Sequence, residues 1–103
     1  MSEQETNEQI RPDLPPATFE FLVASLRFQA EVAMGAIRIS EEETEPDIDA
    51  ARHFIDLLTM LQDKTKGNLS MDEHRLLENS VTELRFRFVQ VAGEASKSKI
   101  ITP

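Results

Sequence analysis

The side chains able to do chemistry are few. Lys64-Thr65-Lys66-Gly67-Asn68-Leu69 has the lysines and glycine of an anion-binding loop. A phosphate loop needs glycines ahead of its lysine and a strand feeding into it, and neither is present. The run reads instead as a turn in which Gly67 takes positive φ, Asn68 suits the bend and Leu69 covers the helix ends. His53 has Asp49 four residues before it and Asp56 three after, which puts all three near one polar edge of a helix. A metal site needs three or four convergent ligands, and di-iron bundles draw them from Glu-x-x-His pairs on facing helices. That pattern is missing, and His74 belongs to a different helix. His53 is read as an exposed, carboxylate-paired histidine, and neither a metal nor another cofactor is expected.

Arg75, Arg85 and Arg87, with Phe86 and Phe88, form a basic-aromatic end of the type that stacks bases and contacts phosphates. Glu78 and Glu83 dilute its field and Phe88 falls on a core seam, so nucleic acid is not the expected partner. Phe86 points off that seam. Ser25 and Ser80 lie within helical periodicity, Ser70 sits in a capping pattern, and there is no Gly-x-Ser-x-Gly elbow. The absence of cysteine excludes disulfides, Cys-ligated zinc and thiol catalysis. With no Tyr or Trp and only 3 glycines, a precise loop-built pocket is hard to assemble. No residue is assigned a catalytic role, and the expectation is a protein that is not an enzyme.

The elements that carry these side chains are helical throughout. The 103 residues suffice for one domain. Residues 1–14 have no apolar period and read as a disordered acidic tail. Residues 15–92 read as a three-helix domain and 93–103 as a flexible C-terminal tail. Pro12, Pro15 and Pro16 punctuate the start of the first helix, where proline is tolerated in the first turn and Thr18 serves near the cap. That helix runs to about Gly35–Arg38. An acidic linker containing Pro46 follows, and Asp47 is the N-cap of the second helix. The second helix stops at Gly67, with Lys64 and Lys66 in its last turn favouring the negative end of the dipole. Ser70 and Glu73 form a capping box that starts the third, whose periodicity lasts to about Val91. The short Gly67–Ser70 connection predicts an antiparallel hairpin of helices 2 and 3.

Charge is concentrated outside the helices. The net charge is −8. Residues 1–14 contribute −3 and 38–47 contribute −4, whereas 48–92 carry seven acids against six bases. Those acidic segments favour solubility and repel nucleic acid and anionic membrane. No apolar run approaches the roughly 20 residues that span a bilayer, and the first residues are polar and acidic rather than leader-like. A cytoplasmic protein without membrane contact is expected.

Helical projection assigns the faces. Leu77, Val81, Leu84, Phe88 and Val91 make one seam on the third helix. Ile48, Ala51, Phe54, Ile55, Leu57, Leu58 and Leu61 cover about half of the second, with Asp49, Arg52, Asp56 and Asp63 opposite. The first helix differs in having two apolar stripes. One holds Phe19, Leu22, Val23, Leu26, Ala30, Ala33, Met34 and Ile37. The other, about 180° away, holds Phe21, Phe28, Val32 and Ile39, with Ala24 and Gly35 beside it. In a three-helix bundle a helix meets both neighbours on adjacent sides, so the second stripe asks for another surface. The expected surface is a second copy of the chain, giving a helical homo-oligomer, a dimer above all. Its interface would be Phe21, Phe28 and Val32, with Phe86 as an addition. The expected function is that of an oligomerisation or protein-interaction module. A nucleic-acid-associated accessory protein and a metal or small-ligand binder are the alternatives.

From the second helix onward a family resemblance emerges. The stretch IDLLTMLQDKTKGNLSMDEHRLLENSVTELRFRFV resembles the bacterial family DUF1844, and LPPATFEFLVASLRFQAEVAMG is similar to that family's opening. Together they cover about residues 14–91, with KTKGNL and the later ELR the more specific parts. SEEETEP departs from the more Pro/Gly-like turn expected between the first two helices. The resemblance implies a small helical protein and brings with it no activity, cofactor or catalytic residue.

Overall fold

A computed structural model describes residues 13–37 and 45–101, except for the side chains of 97–101. The expectations for the acidic N-terminal tail before residue 13, for Arg38 and Ile39, for the linker over 38–44 and for the last two residues lie outside these. The described residues form three helices: α1 (Phe19–Ala33), α2 (Ile48–Lys64) and α3 (Met71–Ile101). The described residues contain no strand. Each helix packs against both others, so the described residues form an all-α three-helix domain.

The ends of the helices follow from local chemistry. Thr18 is extended, and its Oγ1 accepts a hydrogen bond from the Phe21 amide at 3.0 Å, capping α1. Pro15 and Pro16 therefore precede the helix rather than occupying its first turn. At the other end Gly35, at φ +82°, lets the chain turn back on itself. The Ala36 amide then donates to the Glu31 carbonyl and the Gly35 amide to the Val32 carbonyl. This is the Schellman arrangement, which satisfies carbonyls that the helix leaves open.

Asp47 joins α1 to α2. Its amide donates to the Ala33 carbonyl at 2.8 Å, and its Oδ1 accepts from the Ala50 amide at 3.0 Å. One residue thus closes the first helix and starts the second. Past Lys64, Thr65 and Gly67 (φ +79°) turn the chain, and Asn68 donates its amide to the Thr65 carbonyl. Ser70 and Glu73 then exchange bonds of 2.8 and 3.1 Å, the expected capping box.

The core draws equally on the helices: Val23, Ala30 and Met34 from α1, Ala51, Ile55 and Leu58 from α2, and Leu77, Val81 and Leu84 from α3. Phe54, Leu61, Leu69, Phe88 and Val91 pack around them half-buried. Two expectations need correction. Leu22, assigned to the core stripe, is 43% exposed. It lies about 100° around the helix from Val23, so both cannot face one centre. The third helix also does not end near Val91; it continues to Ile101. Ala92, Glu94, Ala95, Lys97 and Lys99 are good helix formers, no proline intervenes, and Gly93 alone does not stop a helix that is already propagating.

Candidate interaction surface

Phe21 and Phe28 are seven residues apart, about 10 Å along one line of α1. That line is opposite Val23 and Ala30, the positions turned into the core. The two rings stay 46% and 47% exposed, so the second stripe is real as a surface. Val32, one turn beyond Phe28, is half-buried.

Phe28 and Val32 are brought together in a shallow depression of about 310 Å³, lined also by Gln29, Ala33, Asp47, Ala50 and Phe54. Phe54, read from the sequence as a core residue of the second helix, is half-buried and forms the α2 wall. Periodicity along α2 reveals that Phe54 is apolar and near the core; only the docking of α2 beside α1 puts it next to Phe28. Phe21 shares the stripe but is outside the depression, and Phe86 stands on a different helix, 69% exposed with Val89 beside it.

An ion pair relates the two aromatic positions. Arg27, which precedes Phe28, donates from Nη2 to Glu83 Oε1 at 2.6 Å. Glu83 is one turn before Phe86. The same guanidinium donates to Glu31 Oε2 and to the Oγ of Ser80, which is fully buried. Burial disfavours the charged guanidinium, but hydrogen bonds and charge from Glu83 and Glu31 outweigh that and hold its pKa above the ordinary arginine value. The α1–α3 contact is thus bridged by a polar cluster of Arg27, Glu31, Ser80 and Glu83.

The remaining chemistry-bearing residues form no centre. Asp49, His53 and Asp56 are all exposed, and Asp49 lies 3.5 Å from Arg52. The His53 ring meets Phe54 edge-on at 5.3 Å. His74 and Glu78 are 3.9 Å apart at the surface. Among the described residues no group of three or more metal-ligating side chains converges. Lys64, Lys66 and Asn68 are exposed around the turn, and Leu69 is tucked against the core. Of the serines, Ser70 is a cap and Ser80 is engaged by Arg27. Arg75, Arg85 and Arg87 are exposed. Arg85 donates to Thr59 Oγ1 of α2, and the Arg52 guanidinium lies 5.3 Å from the Phe88 ring centre. No described helix is long and apolar enough to cross a membrane.

Neither a curated protein nor a solved structure matches the chain. A family model does, over residues 16–90, which is the three-helix domain from just before Thr18 to the core-packed part of α3. The chain belongs to the DUF1844 family, described as a domain of unknown function.

Proposed function

We propose that this domain is a non-catalytic self-association module of the cytoplasm that forms a dimer through the outer face of α1. The observation that carries this reading is the pair of half-exposed phenylalanines, Phe21 and Phe28, on the side of α1 opposite its core positions Val23 and Ala30. Large apolar side chains are stable in water only at a cost, and clustered exposure of this type marks interfaces. A two-fold axis is the commonest way to close such a contact. Phe28 and Val32 form the centre, with Phe21 and Phe86 toward its edges. The hairpin of α2 and α3 is antiparallel in this reading, which is supported by the short turn and by Arg52 meeting Phe88 while Thr59 meets Arg85.

Light scattering of the purified chain at tens of micromolar tests the proposal: a dimer is expected, and a strict monomer overturns it. Phe28→Glu should give a folded monomer, because the ring is half-exposed and its loss leaves the core intact. Salt-sensitive RNA or DNA binding that weakens when Arg75, Arg85 and Arg87 are replaced would move the role to nucleic acid instead.

A further inference from the structure

The outer face of α1 carries a strip without charge. Phe21, Ala24, Ser25, Phe28 and Val32 fall within about 100° of the helix circumference. Glu20, Arg27 and Glu31 all lie on one flank of that strip, the flank from which Arg27 reaches Ser80 and Glu83 of α3. Leu22, Gln29 and Ala33 make the other flank, and beside it α2 closes the depression with Ala50 and Phe54. Strip and depression are one continuous surface, because Phe28 and Val32 belong to both.

Side-chain size alternates along the strip. Phe21 and Phe28 are large, Val32 is intermediate, and Ala24 and Ser25 are small. A two-fold axis perpendicular to α1, in the plane between two copies, sets the helices antiparallel and keeps both α2 flanks on the same side. With the axis midway between Leu26 and Arg27, Phe28 of each copy falls opposite Ser25 of the other, and Phe21 falls opposite Val32. Each phenylalanine then faces a smaller residue, as close helix packing requires. Phe21, which lies outside the depression of its own domain, arrives over the depression of the second copy. A dry cavity of about 150 Å³ accommodates a benzene ring, so the 310 Å³ depression has room for that ring. A parallel pair would instead set every residue beside its own copy, with phenylalanine against phenylalanine and a gap at Ala24 and Ser25.

Charge is compatible with the antiparallel arrangement. Asp47 is the charged residue lining the depression. Glu20 projects about 100° away from Phe21, on the flank toward α3, and so stays clear of Asp47. The nearest like charges, Glu20 of one copy and Glu31 of the other, lie at the rim, where Arg27 already pairs Glu31 and salt screens the remainder. Two chains of net charge −8 can therefore meet on this strip without burying an acid.

We infer that two copies pair through α1 in antiparallel register about Leu26–Arg27, with Phe21 of each seated in the Phe28–Val32–Phe54 depression of the other. This rests on the self-association proposed above and names its orientation and register. The contact forms twice, once on either side of the axis.

The test measures dimer dissociation by analytical ultracentrifugation, with circular dichroism to verify folding. Phe21→Ala should weaken the dimer about tenfold or more at unchanged helicity. Ser25→Leu should also weaken it, although it adds apolar surface, because the new side chain takes the place of Phe28 from the second copy. In a parallel pair the same change would fill the gap and tighten the dimer. Because the chain has no cysteine, a Phe21→Cys chain mixed with a Val32→Cys chain should form the mixed disulfide on mild oxidation faster than either chain couples to itself. If Phe28→Glu dissociates the dimer while Phe21→Ala matches the wild type, Ser25→Leu tightens it and the Phe21→Cys chain couples to itself, this register is wrong and the self-association reading survives. A wild-type monomer overturns both.

Discussion

Arg27 and Glu83 meet across the α1–α3 boundary at 2.6 Å, and the same guanidinium reaches the hydroxyl of Ser80, which no solvent touches. The Ser80 oxygen sits within an otherwise apolar core, and no buried side-chain oxygen or nitrogen among the described residues lacks a partner. Arg27 is therefore part of the packing as well as of the surface.

Replacing Arg27 by Ala should destabilise the domain by about 1–3 kcal/mol, the range for stranding a buried polar group. In a Ser80→Ala background the same change should cost clearly less. Glu83→Ala, at the solvent edge, should cost no more than about 1 kcal/mol. A double-mutant cycle by urea unfolding reads all three, and equal Arg27→Ala costs in both backgrounds would refute the coupling. Because folding raises the arginine pKa, this contribution is complete below its unfolded value and lost only as pH climbs through the folded one. Between roughly pH 6 and 10 the guanidinium's own titration should therefore not weaken the bridge.

Gly67 and Gly93 should respond to alanine with opposite signs. Gly67 has φ +79° with open space around a new Cβ, so Gly67→Ala adds backbone strain without a clash and should cost about 1 kcal/mol. Gly93 is helical and equally unobstructed, so Gly93→Ala should stabilise by about 0.5–1 kcal/mol. Thermal unfolding of the two variants distinguishes them, and a shift in the same direction for both would contradict the assigned backbone.

The start of α3 depends on a reciprocal pair. Ser70→Ala should cost about 1 kcal/mol, because the Glu73 amide loses its acceptor. Glu73→Ala releases the Ser70 amide to solvent and should cost less. Amide hydrogen exchange in the first turn of α3 should speed up in both; protection equal to wild type would show that the turn does not rely on the box.

Leu22 and Val23 are neighbours with different environments. Val23→Ala removes fully buried methyl groups and should cost about 2 kcal/mol. Leu22→Ala should change stability by less, within about 1 kcal/mol, since much of that side chain is already in water. Chemical denaturation of the pair gives the difference directly, and comparable losses would place Leu22 in the core after all.

Much was legible in the residues themselves because it depends on interactions only a few positions apart. The caps at Thr18, Asp47 and Ser70, the turn at Gly67 and the seam Leu77–Val81–Leu84 are all set by i to i+3 or i+4 relations, which a linear chain displays. The exposed stripe of Phe21 and Phe28 is also periodic, and so was visible before any packing. Tertiary structure decided what depends on how the helices are set against one another. Arg27 reads as one charge in a line of charges, yet the placement of α3 makes it the partner of Ser80 and Glu83, residues more than fifty positions away. Phe54 reads as core, yet the docking of α2 places it beside Phe28 in the wall of a surface depression. Helical period assigns a side chain to a face; which neighbour that face meets is fixed by the packing of the other two helices, and no local pattern encodes it.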